Sequence, residues 1–552
     1  MDMNALTISP TVWQRSTTLR FLRWLGTWRG LGTVAVVAAS AVTLLTLLYA
    51  FENWRGYHAW NRVRQQLLAR GEAVDVQAFI PAPVPDEENF AAAPLFQHTF
   101  HRPPRDTEVR PSAHDRDERL KRVGVALGIA PDRTAPELGT LETGEPIDLA
   151  AWQRFYAGNT NYPQPAAAQS AARDVLLALS RFDPELDELR QAATHPRSRF
   201  AVDYATPQPW SILLPHLPRL RGLGNVLLLR ATARLDAGQA AEALADLQLL
   251  LRLGDSIRDE PLLLSFVVRQ SLIADVITGT REGLARRAWT NDQLVALDRL
   301  FAATDLLAEL PRALQAERAW NLTQIEYYDQ HRDFVREQYD SQVGLALVLQ
   351  HMPRGWYYAN MQALTQLYES DAFPMLDPRA RRIHPHPLVK PYDDSLAARA
   401  WNDWLPPRAI EAFLDQFAVF RDRPRGRWSL FKYLFAVGSY RHPPKLIFRT
   451  AQRQTQLELA RVACALERYR LADGGVPEAL DALTPTYLAS VPPDLITGGP
   501  LQYRRDADDR YLLYAVGWDG QDHGGRGGRT AKSGPTSPES QRDWVWPVPR
   551  TH

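Results

Sequence analysis

The chain has a single cysteine, Cys464, among 552 residues. An intramolecular disulfide and a cysteine-built metal site are therefore excluded, and either redox compartment suits the chain. Lysine is nearly as scarce. Positions 121, 390, 432, 445 and 532 hold all of it, and arginine supplies the rest of the 64 basic residues. No basic patch along the sequence accompanies that bias, which reads as the codon usage of a GC-rich genome. Against 63 acidic residues the formal net charge is +1, so bulk charge gives no argument for nucleic acid or for an acidic substrate. Sequence signatures of catalysis are missing too. There is no Gly-x-Ser-x-Gly elbow, no His-Glu-x-x-His, no phosphate-binding loop and no Gly-x-Gly-x-x-Gly after a strand.

The remaining polar clusters are weak candidates. His384-Pro385-His386 offers two imidazoles without a nearby third ligand, and a surface or packing role is expected. Adjacent carboxylates at Asp86-Glu87-Glu88 and Asp393-Asp394 read as solvated turns or helix caps rather than a catalytic pair. The aromatic groups Trp356-Tyr357-Tyr358 and Trp401/Trp404 read as core packing, with a groove for glycan or peptide as the alternative.

What the chain does have is one long uncharged run. Residues 30–51 begin with Gly30, end on Phe51, and are bounded by Arg29 and Glu52. As a helix they extend about 33 Å, enough to cross the hydrocarbon core of a bilayer. Trp24 and Trp28 flank one end and Tyr49, Trp54 and Tyr57 the other, where an aromatic belt belongs. A cleaved signal peptide is the rival reading. Its one candidate site, Ala39-Ser40-Ala41, would leave half the apolar run on the mature chain, so an uncleaved anchor is expected. Orientation is not decided by charge. Arg15, Arg20, Arg23 and Arg29 precede the run, and Arg55, Arg62, Arg64 and Arg70 follow it.

The composition of the rest, 45% hydrophobic and 23% charged, is that of a folded protein. Residues 52–72 predict a helix stopped by Gly71. Prolines at 81, 83 and 85, in the stretch Pro81-Ala-Pro-Val-Pro-Asp-Glu-Glu-Asn-Phe90, force extended backbone and rule out a helix there. Residues 101–122 read as a solvated linker. From 148 to 445 the pattern is mostly helical. Leu227, Ala231 and Leu235, then Ala243, Leu247 and Leu250, recur at helical spacing on either side of Asp236-Ala-Gly238. This is a helical hairpin. It resembles one tetratricopeptide unit of about 34 residues, and a generic hairpin gives the same pattern. Residues 261–282 and 292–329 predict further amphipathic helices. Prolines at 353, 374, 378, 385, 387 and 391 make 350–395 irregular, with helices resuming near 396 and after Pro444.

Residues 446–552 predict a separate α+β module. A helix over 446–472, with Leu459, Ala463, Leu466 and Tyr469 on one face, ends at Gly474-Gly475. Leu501–Tyr503 and Tyr511–Val516 then alternate as a strand hairpin around a polar turn at 506–509. The order of pieces resembles the globular domain of the major pseudopilins of type II secretion. Gly474 to Pro477 matches that family's G-x-x-P step, Ala482 to Leu488 its A-L-x-P-x-Y-L segment, Pro492 to Asp494 its P-x-D turn, and Gly517-Trp-Asp-Gly520 its G-x-D-G loop. The longer chain is similar to large bacterial single-pass membrane proteins that share the stretch at 81–90. Two departures separate it from a filament subunit. No prepilin peptidase motif precedes the apolar run, and that run lies far from the module. Leu495 also replaces the proline usual after the turn aspartate.

The resemblance implies a calcium site in the loop after the hairpin. By position, Asp519 and Asp543 are its best ligands and Asp522 a plausible third. Carboxylate oxygens are the hard donors Ca²⁺ takes, and glycines 517, 520, 524 and 525 let carbonyls turn inward. A solvated Gly/Asp loop without an ion is the alternative. Asp543-Trp-Val-Trp546 is expected to pack back and fix the tail.

The fold expected is thus mainly α, with an N-terminal transmembrane helix (30–51) behind a cytoplasmic tail (1–29). A juxtamembrane helix and extended linker (52–147), a helical body (148–445) and the small module (446–552) follow. The function expected is that of a scaffold or interaction protein of the bacterial inner membrane. Because pseudopilin-type modules work outside the cytoplasm, the body is placed in the periplasm, with other envelope proteins as partners and no nucleic acid. The rival is an envelope hydrolase or glycan-modifying enzyme with a site assembled within the helical body. Convergent carboxylates or histidines in a deep pocket favour the enzyme, and a groove on helices favours the scaffold.

Overall fold

The helix that carries the apolar run continues well past the end of that run at Phe51. In the computed structural model, helix α1 (Trp28–Ala69) continues unbroken for 42 residues. The structure describes residues 21, 24–97, 135–139, 144–167, 169–206, 208, 211–334, 349–385, 435, 443–506, 510–527 and 542–546. The segment 101–122, His386, Asp393, Asp394, Trp401, Trp404 and the helix expected near 396 lie outside them. The Thr27 hydroxyl caps α1 by accepting from Gly30 N–H at 3.1 Å. Val36, Val37, Leu44 and Leu47 are all exposed, and the most apolar window of the helix buries nothing against the rest of the chain. The helix is long and apolar enough to cross a membrane. At the far end Glu72 N–H returns to the Leu67 carbonyl at 3.0 Å, next to Gly71. A second helix passes the same test of length and composition, but it is mostly buried and belongs to the body.

The second half of α1 is welded to α10 (Arg354–Leu367). Glycine is required on both sides of that seam. A Cβ on Gly56 would stand 2.1 Å from the Gly355 carbonyl oxygen, and one on Gly355 would stand 1.9 Å from that of Glu52. The bare backbones bring polar groups together. Asn53 Oδ1 accepts from Gly355 N–H at 2.8 Å, and Trp356 Nε1–H donates to Glu52 at 3.1 Å. Farther up, fully buried Arg318 reaches Glu72 at 2.7 Å and Glu369 at 3.0 Å, and Arg70 reaches Glu369 at 2.7 Å. Removing one partner of such a buried ion set leaves an uncompensated charge, a loss of roughly 3–5 kcal/mol.

The body is mainly α. Small helices α2 (Leu149–Tyr156), α3 (Ala171–Leu179) and α4 (Asp183–Ala192) lead into the expected hairpin, α5 (His216–Asp236) and α6 (Ala240–Asp255). Gly238, at φ +76°, makes the turn between them, in a region that side chains with a Cβ avoid. Leu227, Ala231, Ala243, Leu247 and Leu250 are all fully buried along the seam, each leucine contributing roughly 1.5–3 kcal/mol. Helix α7 (Leu263–Ala285) packs on both hairpin helices. The single helix expected over 292–329 is two: α8 (Asn291–Ala302) and α9 (Leu306–Gln330). The Asp305 carboxylate caps α9 by accepting from Ala308 N–H at 3.0 Å, and a side-chain cap starts a new helix where periodicity alone runs on. The described part of the stretch 350–395, residues 350–385, is also more regular than its prolines imply. Pro353 stands just before α10 and Pro374 after it, so they bracket the helix instead of breaking it.

Helix α11 (Pro443–Asp473) is the expected long helix of the C-terminal module, yet it runs through the common core. Gln454 accepts from Leu306 N–H at 2.9 Å, Gln270 donates to Thr450 at 2.9 Å, and Arg461 meets Asp298 at 2.9 Å. A two-stranded hairpin, β1 (Leu376–Asp377) and β2 (Arg382–Ile383), docks by Ile383 N–H donating to the Leu495 carbonyl at 2.9 Å. The antiparallel sheet that follows has order β3 (Gln502–Arg505), β4 (Tyr511–Ala515), β5 (Trp544–Val545). Tyr503 pairs with Leu513 and Ala515 with Trp544. Trp544 and Trp546 are buried, as expected of a tail that packs back, and Phe448 of α11 meets the Trp544 ring edge-on.

Candidate functional site: an arginine-lined cleft

The proline stretch singled out in the sequence builds one wall of a cleft. Pro81 to Val84 stay extended, and Phe79, Phe90 and Phe96 on either side are buried. Asn89 holds the stretch in place. Its side-chain amide donates to the Arg199 carbonyl at 3.1 Å while its carbonyl accepts from Arg199 N–H at 2.8 Å. Phe90 N–H donates to Arg197 and Arg197 N–H donates to Glu88, at 2.9 and 3.1 Å. Residues 81–97 are thus laced to 195–200 and form part of the body.

The cleft has a volume of about 660 Å³ and is lined by Pro81–Val84, Pro196–Ser198, Arg252, Asp255, Arg258, Asp259 and Arg312. Four arginines therefore face two carboxylates. Arg252 is the most fixed. It lies over the Phe90 ring, 4.9 Å from the centroid, and donates to the His195 carbonyl at 2.7 Å. Burial lowers its guanidinium pKa, with Asp255 opposing. Arg258 stands 2.9 Å from Glu309. Arg312 is 3.5 Å from Asp259 and Arg197 is 3.4 Å from Glu88, both well exposed and loosely paired. Beneath the floor, fully buried Arg269 lies 2.9 Å from Asp255 and 3.3 Å from Glu309. Burial raises the Glu309 carboxyl, against the pull of Arg269 and Arg258. The Ser198 hydroxyl and both Glu309 oxygens are buried without a hydrogen bond among the described residues. A planar fork of guanidinium donors on an extended wall is chemistry for holding carboxylate or phosphate.

The three predicted calcium ligands lie on two stretches, Asp519 and Asp522 in the loop after β4 and Asp543 just before β5. Asp519 accepts from Gln521 N–H at 3.0 Å and lies 2.9 Å from the His523 ring. Asp522 accepts from Gly524 N–H at 2.7 Å and from the Tyr514 hydroxyl at 2.9 Å. Asp543 is buried and accepts from Gly525 N–H at 2.7 Å and His523 N–H at 3.1 Å. Burial pushes its carboxyl above the usual carboxylate range, although those two N–H groups pull it down. Among the described residues no group of three His, Cys, Asp or Glu side chains is arranged to hold a metal. Asp494 of the P-x-D turn is buried. It accepts from Ile496, Thr497 and Val516 N–H at 2.8, 3.0 and 2.8 Å, and so ties the turn to the end of β4.

Other singled-out residues take packing roles. Tyr357 is fully buried with its hydroxyl on the Leu349 carbonyl, and Tyr358 meets Tyr57 edge-on. His384 is exposed, and Cys464 lies in the core of α11. The arginines at 197, 252, 258 and 312 were not visible as a group in the sequence, and the proline stretch was the one signal near them. Comparison with family models, curated proteins and solved structures finds no match for this chain, so function is argued from the geometry.

Proposed function

We propose that this is a membrane-anchored interaction protein of the bacterial envelope, held by α1 with its body outside the cytoplasm. Its arginine-lined cleft receives an extended, carboxylate-bearing segment of another envelope protein. The observation that carries the proposal is the cleft itself, where four arginines stand along a proline-built wall. Arginine forks bind carboxylates bidentately, and an extended wall suits an extended ligand. Of the two carboxylates in the cleft, Asp255 is committed to the buried Arg269 at 2.9 Å. Doubly reversing the cleft, Arg252→Glu with Arg258→Glu, is expected to remove proteins that copurify with the wild-type chain from native membranes. An unchanged set of partners contradicts the docking role. A C-terminal reporter active in the cytoplasm contradicts the placement of the body.

Calcium at Asp519, Asp522 and Asp543 is a separate proposal. It is supported by the pseudopilin resemblance and by Asp543 bonding back to the loop that carries Asp519 and Asp522, through the His523 and Gly525 N–H groups. Excess Ca²⁺ is expected to raise the melting temperature of the full chain over that in EDTA, because a ligand bound only to the folded state stabilises it. Equal melting temperatures contradict the site.

A further inference from the structure

The seam between α1 and α10 fixes where the body stands relative to the end of the apolar run. The two helices run in the same direction. Tyr49 donates to the His351 carbonyl, Gly56 touches Gly355, Tyr57 meets Tyr358, and Arg70 reaches Glu369. The entrance to α10 is therefore level with Tyr49 to Gly56. Tyr49 is still inside the apolar run, and Phe51 is its last residue. At 1.5 Å of rise per residue, the first turn of α10 lies within about 10 Å of that end.

The surface at this level has its own composition. Trp54 is 61% exposed and Tyr57 48%. The side chains of Arg55 and Arg354 are 40% and 56% exposed, and His351 is exposed. Aromatic rings with one apolar and one polar edge, interleaved with arginines on flexible stems, match the boundary between acyl chains and headgroups. Because α1 is one helix locked to α10 by backbone contact, the body has no flexible tether that would let this face stand off.

We infer that the face formed by His351, Arg354, Trp54, Arg55 and Tyr57 rests in the headgroup layer of the same membrane that α1 crosses. The inference rests on reading residues 30–51 as a span. The rings sit at the acyl boundary, while Arg55 and Arg354, each held by a carboxylate (Glu52 at 2.7 Å and Asp329 at 2.6 Å), turn their exposed donor edges to the headgroups. The body is then a platform seated on the bilayer in a fixed orientation.

Spin labels on the full chain test this in vesicles of phosphatidylethanolamine and phosphatidylglycerol. Nitroxides are placed singly by His351→Cys, Val37→Cys and Ala472→Cys in a Cys464→Ala background. Ala472 is exposed at the far end of α11. Collision with oxygen is compared with collision with a water-soluble nickel chelate. The expected ratio of oxygen to nickel accessibility is highest at 37, several-fold lower at 351, and several-fold lower again at 472. If 351 equals 472 while 37 stays in lipid, the seating is overturned and the span stands. If 37 also reports water, the span reading fails and the seating with it.

Discussion

The acidic loop of the C-terminal module and the arginine cleft are both rich in charge, and they differ in how that charge is satisfied. In the module, Asp494 and Asp543 accept from backbone N–H groups at 2.7–3.2 Å. Those carboxylates close turns, and their work is internal. In the cleft, Arg312 and Arg197 meet their nearest carboxylates at 3.5 and 3.4 Å, and the Ser198 hydroxyl bonds to nothing described. Charge held by the backbone folds the chain, whereas charge held loosely at a mouth is free to meet another molecule.

The sharpest way to break the contrast is to remove its most enclosed carboxylate. Asp494→Ala strands two buried N–H groups, those of Ile496 and Val516, each costing roughly 1–3 kcal/mol, and a part-buried third on Thr497, so a loss of about 3 kcal/mol is expected in denaturant titrations. A loss below about 1 kcal/mol would show that water replaces the carboxylate freely. Gly355→Val comes next. The added carbon collides with the Glu52 carbonyl, and overpacking of this kind destabilises by roughly 1–3 kcal/mol. Unchanged stability would mean that the α1–α10 seam is loose.

Glu317 offers a third arrangement, a carboxyl enclosed by protein and bonded by one amide, Asn321, at 3.3 Å. Burial raises its pKa from 4.5 to about 7, with the Asn321 bond opposing. The folded state therefore prefers the protonated acid. Stability from this group is intact below its ordinary pKa and is lost as pH rises through about 7, by on the order of 3 kcal/mol. Glu317→Gln should be insensitive to this change and more stable than wild type at pH 8. Parallel pH profiles for the two chains would contradict the assignment. The smallest effect on stability belongs to the cleft. Arg312→Ala should change it by less than about 1 kcal/mol, as exposed pairs do, while weakening partner capture. A large destabilisation would place Arg312 with the module's carboxylates.

Much of the fold is local and was legible. The apolar run, the Ala231/Ala243 hairpin, α11, the β3–β4 hairpin and the buried Trp544 and Trp546 all follow from periodicity and turn residues within one segment. The break before α9 depends on one capping side chain, Asp305, inside an otherwise regular pattern. The cleft was not legible because its arginines come from three separate stretches, around 197, 252–258 and 312, brought to a wall at 81–84. A net charge of +1 says nothing about such gathering.

The contrast between the two regions can be read directly in living cells. A photo-crosslinking residue is placed at Val84, half-buried in the lining of the cleft, and, separately, at the exposed Gln521 of the loop. The account predicts a discrete crosslinked partner from Val84 that disappears with Arg258→Glu, and no partner from Gln521. Crosslinks from Gln521 alone, or from Val84 regardless of Arg258, would contradict it.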